Sequence, residues 1–278
     1  MTAAPGRWNP TGPAGYDRRG FVKICGVTSE EDALLAVALG ADAVGFIFAP
    51  SRRQIAPQVA ADIVKRLPRD EVMSVGVFRD EAPQRVSDIA VGAGLHAVQL
   101  HGHEPPEVAR WLATRVQAVI QAFPAGDPRI RQAGDYGAFA VMLDAPNPGS
   151  AQLFDWSLVS EVPAGQRVIV AGGLNPDNVA SAILRTGCWG VDVASGVERS
   201  PGQKDPIKLR EFIQAAREAF AAAPRPGAGA APAPGPEVAP TAGFVQGRSV
   251  ISDRDAGSIS HAEEGVSPGG VYDWQEDK

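Results

Sequence analysis

The chain has 278 residues, an apolar fraction of 44% and a formal net charge of −6, a balance that argues against nucleic-acid binding because such proteins present a basic face. No apolar run reaches the roughly 18 residues that a membrane span requires, and two cysteines are too few for a disulfide framework. We therefore expect a cytoplasmic protein with reduced thiols that acts on a small molecule, with neither nucleic acid nor a membrane as partner.

The first predicted strand, Phe21–Val27, is apolar and carries Cys25 just before its exit. A helix signal follows, because Thr28 or Ser29 can cap a helix whose first turn is acidic. The same alternation continues to residue 220. Further strands are predicted at 43–48, 73–78, 97–102, 118–123, 139–144, 167–173 and 190–196. Their following helices are predicted at 57–67, 83–94, 105–115 and 128–133, briefly around Leu158, from Asn175 to Gly187, and at 206–220.

Eight strand-and-helix units over about 200 residues predict an α/β protein with a (β/α)8 TIM barrel at residues 21–220. A doubly wound sheet is less favoured because Gly26 is not followed by a glycine-rich phosphate turn. We interpret residues 1–20 as a flexible leader. Residues 221–278 read as a Pro/Ala/Gly-rich linker and an acidic disordered tail, in which Tyr272 and Trp274 could alternatively form a docking peptide.

In such a barrel the active face lies at the C-terminal ends of the strands. Cys25 follows the first strand and Asp144 the sixth, three steps apart in a ring of eight, so the two can face each other as a base and an acid. The thiol would need local positive potential to lose its proton near neutral pH, and Lys23, two residues earlier, could supply it. The alternatives are a small core cysteine and an aspartate that caps the next loop.

Glycines close the last two strands. Gly172 and Gly173 end the seventh, and Ser195 and Gly196 end the eighth, where barrels of this type bind phosphate through backbone amides. The alternative is a pair of tight turns that need glycine for conformational reasons.

Three further strand-end residues are candidates for substrate contact: Arg53 (or Arg52), His101 and Asp192. A loop arginine is often only solvated, and His101 could equally satisfy a core hydrogen bond. The other histidines show no metal-ligand spacing, so we expect no metal site.

Five motifs in order resemble the phosphoribosylanthranilate isomerase family over about 21–220. They are Lys23–Gly26, Gln99–Gly102, Leu143–Asp144, Ala171–Leu174 and Asp192–Glu198, the last followed by Pro201–Gly202 and Lys204–Asp205. The loop after Asp144 departs from the family pattern, since 146–150 read Pro-Asn-Pro-Gly-Ser instead of a glycine- and threonine-rich lid.

The resemblance implies an Amadori rearrangement in tryptophan biosynthesis, without metal or cofactor. N-(5-phosphoribosyl)anthranilate would become 1-(2-carboxyphenylamino)-1-deoxyribulose 5-phosphate. Independently of the resemblance, we expect a monomer or a homodimer. By similarity Asp144 is the general acid and Cys25 the general base. Arg53 resembles the partner of the anthranilate carboxylate, Asp192 a sugar contact, and the glycine turns the phosphate site.

Two other functions stay open on the residues alone. A sugar-phosphate epimerase or related ketol isomerase shares the barrel, but such an epimerase is expected to need histidine metal ligands at several strand ends. A barrel that has lost catalysis and serves as a binding module is the other alternative.

Overall fold

The computed structural model describes residues 20–145 and 155–223. Eight parallel strands alternate with helices, and a two-stranded hairpin lies between the eighth strand and the last helix. The strands are β1 Phe21–Ile24, β2 Ala43–Ile47, β3 Met73–Phe78, β4 Ala97–Leu100, β5 Ala118–Pro124, β6 Ala140–Asp144, β7 Val168–Val170, β8 Gly190–Val193, β9 Glu198–Ser200 and β10 Gln203–Lys204.

The sheet is closed. Its order is β1 to β8 without a crossover, and β8 pairs in parallel with β1, with Phe21 opposite Gly190 and Lys23 opposite Asp192. Closure leaves no unpaired sheet edge and directs every strand's C-terminal end to one face. The predicted barrel is confirmed.

The α-helices of the described part are α1 Glu30–Ala38, α2 Pro57–Val64, α3 Pro83–Gly92, α4 Pro106–Ala113, α5 Val179–Thr186 and α6 Pro206–Ala222. The Ser29 side chain accepts the backbone N–H of Asp32 at the start of α1, as the capping signal predicts. After β5 and β6 the chain forms 3-10 segments instead, at Pro128–Tyr136 and Trp156–Glu161.

The predicted start of the helix after β7 was wrong. The chain from Asn175 first makes a turn, in which the Asn175 side chain accepts the N–H groups of Asp177 and Asn178, and α5 begins only at Val179. An asparagine side chain that bonds to its own backbone competes with helix formation, so the turn delays the helix.

Alternate residues of each strand fill the barrel, while the others pack against the helices. The inward apolar residues are Phe21, Ala43, Met73, Val75, Ala97, Ala118, Ile120, Ala122, Ala140, Met142, Ile169 and Ala171. At the N-terminal end of the strands, Trp189 stacks on Phe21 at 4.8 Å between ring centroids and meets Phe139 edge-on at 5.7 Å. These rings fill that end, so polar inward residues are concentrated at the opposite one.

The hairpin of β9 and β10 was not predicted from the sequence. The eighth strand ends at Val193, earlier than expected, and a 3-10 turn at Ser195–Val197 leads into the hairpin. Because Glu198 and Lys204 are its paired ends, the hairpin brings an acid and a base to the C-terminal end of β1.

The barrel starts at Phe21 and its last helix ends at Ala222. Most of the predicted leader, most of the predicted tail and the loop at 146–150 lie outside the described residues. None of the described helices has the length and apolar character to cross a membrane.

Candidate active site

Cys25 lies directly after β1 with its side chain on the inner face of the barrel. Its Sγ and the Nζ of Lys23 both point at Gly45 of β2, where an added Cβ would lie 2.9 Å from the sulfur and 3.1 Å from the nitrogen. A side chain on β2 would fill this space, so glycine there lets a thiol and an ammonium share one small interior region. The Cys25 amide donates to the Val193 carbonyl at 2.8 Å and fixes the residue against β8.

Burial and two neighbouring charges shift the pKa of the Cys25 thiol, and they do not all act in the same direction. Burial raises the pKa of Cys25, Lys23 lowers it, and Asp192 raises it again. Lys23 donates to Oδ1 of Asp192 at 2.8 Å, with its own side chain fully enclosed. The balance leaves the pKa of Cys25 above its ordinary value, so the thiol form predominates at neutral pH.

Asp144 is the last residue of β6 and is buried. Its Oδ1 accepts the backbone N–H of Ala145 at 2.7 Å, and its Oδ2 lies 3.2 Å from Nε2 of His101, at an angle that does not make a hydrogen bond. The amide Nε2 of Gln99 lies 3.0 Å from Nδ1 of His101. Because an amide NH2 group only donates, Nδ1 accepts and the ring proton resides on Nε2, toward the carboxylate.

Contacts across the barrel show that Asp144 faces its interior. Gln99 of β4 donates to the sulfur of Met142 on β6, although β5 separates the two strands, so this contact spans the interior. Asp144 is two residues beyond Met142 and therefore points the same way, as Cys25 does two residues beyond Lys23. Both side chains are on the inner face at the C-terminal ends of strands three apart in the ring.

Arg53 follows β2 and its alkyl chain packs over Gly26. Its Nε and Nη2 make three hydrogen bonds of 2.8–3.1 Å to the two carboxylate oxygens of Glu198. This bidentate pairing fixes the guanidinium plane, and no described residue is hydrogen-bonded to Nη1. The side chain is 14% exposed, so Arg53 belongs to the edge of the barrel mouth and not to the solvated surface.

The glycine turns after β7 and β8 need glycine for two reasons. Gly172 and Gly173 have φ values of +79° and +64°, in the left-handed region that side chains disfavour. A Cβ on Gly196 would lie 1.9 Å from the carbonyl oxygen of Leu174, so the two turns are in direct contact. Ser195 begins the short turn after β8.

The predicted site residues thus form two groups at one end of the barrel. One group lies on the β1, β2 and β8 side and contains Cys25, Arg53 and Asp192. The other lies on the β4, β6 and β7 side and contains His101 and Asp144, beside Gly172, whose added Cβ would lie 2.7 Å from Oδ1 of Asp144.

The architecture and these motifs agree with comparison to known proteins. Residues 22–215 match the family described as N-(5'phosphoribosyl)anthranilate (PRA) isomerase. The chain belongs to this family. The N-(5'-phosphoribosyl)anthranilate isomerase of Desulforudis audaxviator is 47% identical over 206 residues, which are 72% of this chain and 98% of the relative.

Two solved structures of the family are similar in three dimensions. Phosphoribosyl anthranilate isomerase from Thermus thermophilus aligns with a TM-score of 0.66 at 44% identity, over 70% of this chain and 97% of the other. A phosphoribosyl anthranilate isomerase in complex with reduced 1-(o-carboxyphenylamino)-1-deoxyribulose 5-phosphate aligns with a TM-score of 0.63 at 43% identity, over 71% and 98%. The predicted family is confirmed, and with it an isomerase of tryptophan biosynthesis.

Sequence reasoning did not assign roles to two buried charged residues of this isomerase, Glu198 and Lys204. The Nζ of Lys204 donates to the Cys25 carbonyl at 2.6 Å, to Glu198 Oε1 at 3.0 Å and to the Ala194 carbonyl at 3.1 Å. Both residues stand in the last of the matched motifs. The sequence therefore contained a signal for Glu198 and Lys204, but only the hairpin in the structure shows that both residues reach the end of β1.

Proposed function

We propose that the chain isomerises N-(5-phosphoribosyl)anthranilate with Asp144 as general acid and Cys25 as general base. Asp144 gives its proton to the ribose ring oxygen as the bond from that oxygen to C1 breaks, and the anthranilate nitrogen becomes an iminium. Cys25 then removes the proton from C2. The resulting enolamine tautomerises to the ketone, 1-(2-carboxyphenylamino)-1-deoxyribulose 5-phosphate.

One observation carries the proposal: Cys25 and Asp144 both occupy the inner face at the C-terminal ends of strands three apart in the closed ring. A base and an acid so arranged act on opposite sides of one bound sugar, which is what ring opening followed by C2 deprotonation requires. The His101 ring lies beside the Asp144 carboxyl group, with Nε2 3.2 Å from Oδ2.

The substrate contacts are proposed from the same geometry. Arg53 binds the anthranilate carboxylate through Nη1, which has no hydrogen bond to a described residue, while Glu198 holds its other edge. Asp192 contacts the reacting sugar from β8. His101 supports the sugar from the opposite side.

The phosphate lies against backbone amides of the two turns after β7 and β8. The proposed phosphate-binding residues are Gly172, Gly173, Ser195 and Gly196. Support comes from the close approach of the turns, because Gly196 meets Leu174 without an intervening side chain.

Location, assembly and domain limits complete the proposal. The reaction takes place in the cytoplasm, consistent with two cysteines that are not joined in a disulfide. The enzyme works as a monomer or homodimer on a small phosphorylated substrate. Residues 21–220 carry the activity, so removing the chain beyond Ala223 leaves turnover unchanged.

The test is an activity assay that follows the fading anthranilate fluorescence as substrate, generated in situ, is consumed. We expect Cys25→Ser and Asp144→Asn each to lower kcat by about 100-fold or more, the usual size of an acid–base contribution. Cys188→Ser is the matched control, because Cys188 is also a buried cysteine outside a disulfide but lies at the turn before β8. Full turnover in both site variants, or none in the wild type, would refute the proposal.

A further inference from the structure

The charged side chains around Cys25 form two separate groups. Lys23 is opposite Asp192 in the register of β1 and β8 and is hydrogen-bonded to it at 2.8 Å. An ammonium and a carboxylate at this distance offset each other, so together they add little net potential at a thiol next to both. Lys23, the cation expected from the sequence to favour the thiolate, still lowers the pKa of Cys25, but its own partner partly offsets this effect.

A second charged group contacts Cys25 through its backbone carbonyl, and its charges are not balanced. Arg53 and Lys204 both bind the single carboxylate of Glu198, at 2.8 Å and 3.0 Å for the shorter contacts. Two cations share one anion, which leaves one net positive charge. The side chains of Lys204 and Glu198 are 0% and 4% exposed, so solvent screens this charge poorly.

Lys204 is tied to Cys25 itself. Its Nζ donates to the Cys25 carbonyl at 2.6 Å, the shortest of its three hydrogen bonds. The hairpin that carries Lys204 is also joined to the start of α1, because Thr28 donates to the Gly202 carbonyl and the Lys204 amide donates to Asp32. The ammonium is thus held at a fixed position beside the end of β1.

We propose that Lys204 is a positioning residue for Cys25, and that the Arg53–Glu198–Lys204 cluster supplies the surplus positive charge that favours the thiolate. The cluster holds the Cys25 peptide through Lys204 and holds Arg53 through Glu198. This one hairpin therefore positions both Cys25 and Arg53. The inference rests on the proposed function only in naming Cys25 as the base.

The groups that act on the thiol come from every element packed against it: Lys23 on β1, Asp192 on β8, Lys204 on β10 and Arg53 after β2, with Glu198 behind the last two. Burial raises the pKa of Cys25, Lys23 lowers it, Asp192 raises it, and Lys204 also lowers it. Loss of the Lys204 charge should therefore raise the pKa of Cys25 further.

The test titrates the Cys25 thiolate by its ultraviolet absorbance in the full chain without substrate, after subtraction of the Cys25→Ser titration. We expect Lys204→Met to raise the midpoint by about one pH unit, which is about tenfold less thiolate at a given pH below it. Lys204→Arg keeps the charge and is expected to restore the midpoint. A residue with a merely structural role would change stability but leave the midpoint where it is.

Lys208→Met is the matched control. Lys208 is exposed on α6, and its Nζ also contacts this hairpin by donating to the Glu198 carbonyl at 3.1 Å, so its loss should leave the midpoint unchanged. If Lys204→Met does not fold, Arg53→Gln removes the same unit of charge from the cluster and is expected to raise the midpoint likewise.

Equal midpoints in wild type and a folded Lys204→Met or Arg53→Gln variant would overturn the inference. Because no substrate is present in the titration, an inactive wild-type enzyme would refute the proposed function and leave this result standing.

Discussion

Lys23 and Asp192 join the first and last strands of the barrel inside its core, with Nζ 2.8 Å from Oδ1 and neither side chain more than 9% exposed. Burial is the largest influence on the pKa of Lys23 and lowers it, but Asp192 and Cys25 together raise it above its ordinary value, so Lys23 is charged. A buried pair of this kind is costly to break from one side, since the remaining ion keeps its desolvation penalty without its partner.

We therefore expect Lys23→Met to lower the free energy of unfolding by about 3–5 kcal/mol, measured by urea denaturation. The double variant Lys23→Met with Asp192→Asn removes both charges and should recover much of that loss. A single variant that unfolds within about 1 kcal/mol of wild type would contradict a buried, charged pair.

His101 and His103 offer a matched test of the acid side of the site. His101→Asn removes the ring next to Asp144, and we expect kcat to fall about tenfold with little change in the thermal midpoint. His103 is exposed and contacts Asp80 instead, so His103→Asn should leave kcat unchanged. Equal kcat values for the two variants would show that His101 has no part in turnover.

Gly196→Ala tests the contact between the phosphate-binding turns. The new Cβ would lie 1.9 Å from the Leu174 carbonyl, so one turn must move, and we expect KM to rise at least about tenfold. Gly92→Ala is the control, since Gly92 ends α3 and no atom beyond its chain neighbours and its own helix backbone lies within 4 Å of the added Cβ. There we expect unchanged KM and a gain of up to about 1 kcal/mol in stability. A Gly196→Ala enzyme with wild-type KM would argue against phosphate at these turns.

Asp42 makes stability depend on pH. It accepts the Val22 amide and the Arg217 guanidinium, each at 2.7 Å, yet burial raises its pKa from 3.8 to about 6. The folded state then binds a proton more tightly than the unfolded chain, so the stability contributed by this group is present below about pH 4 and lost as pH rises through about 6.

Asp42→Asn removes this titration. The variant's free energy of unfolding is subtracted from that of wild type, and this difference should fall by about 3 kcal/mol between about pH 3 and about pH 7, with about 2 kcal/mol of the fall between about pH 4 and about pH 6. Urea denaturation over this pH range measures it. A difference that is constant or rises with pH would contradict the raised pKa.

Local sequence signals predicted most of the fold. The alternation of apolar strands with capped helices predicted the eight-stranded barrel, because a parallel strand must be followed by a crossover and both of its faces are buried. The prediction from local signals failed where a side chain bonds to its own backbone, as at Asn175. It also failed where a short hairpin lacks an apolar run, as at Glu198–Lys204.

By itself, the sequence determined which residue types stand at the strand ends, and therefore the family, the barrel and the two candidate acid–base groups. The tertiary structure alone decided which polar side chains are partners. It pairs Lys23 with Asp192, and both Arg53 and Lys204 with Glu198, and it places His101 beside Asp144. The physical reason is distance. Periodicity reports on neighbours within about one helical turn or one pleat, whereas Lys23 and Asp192, 169 residues apart in the chain, meet only because the sheet closes.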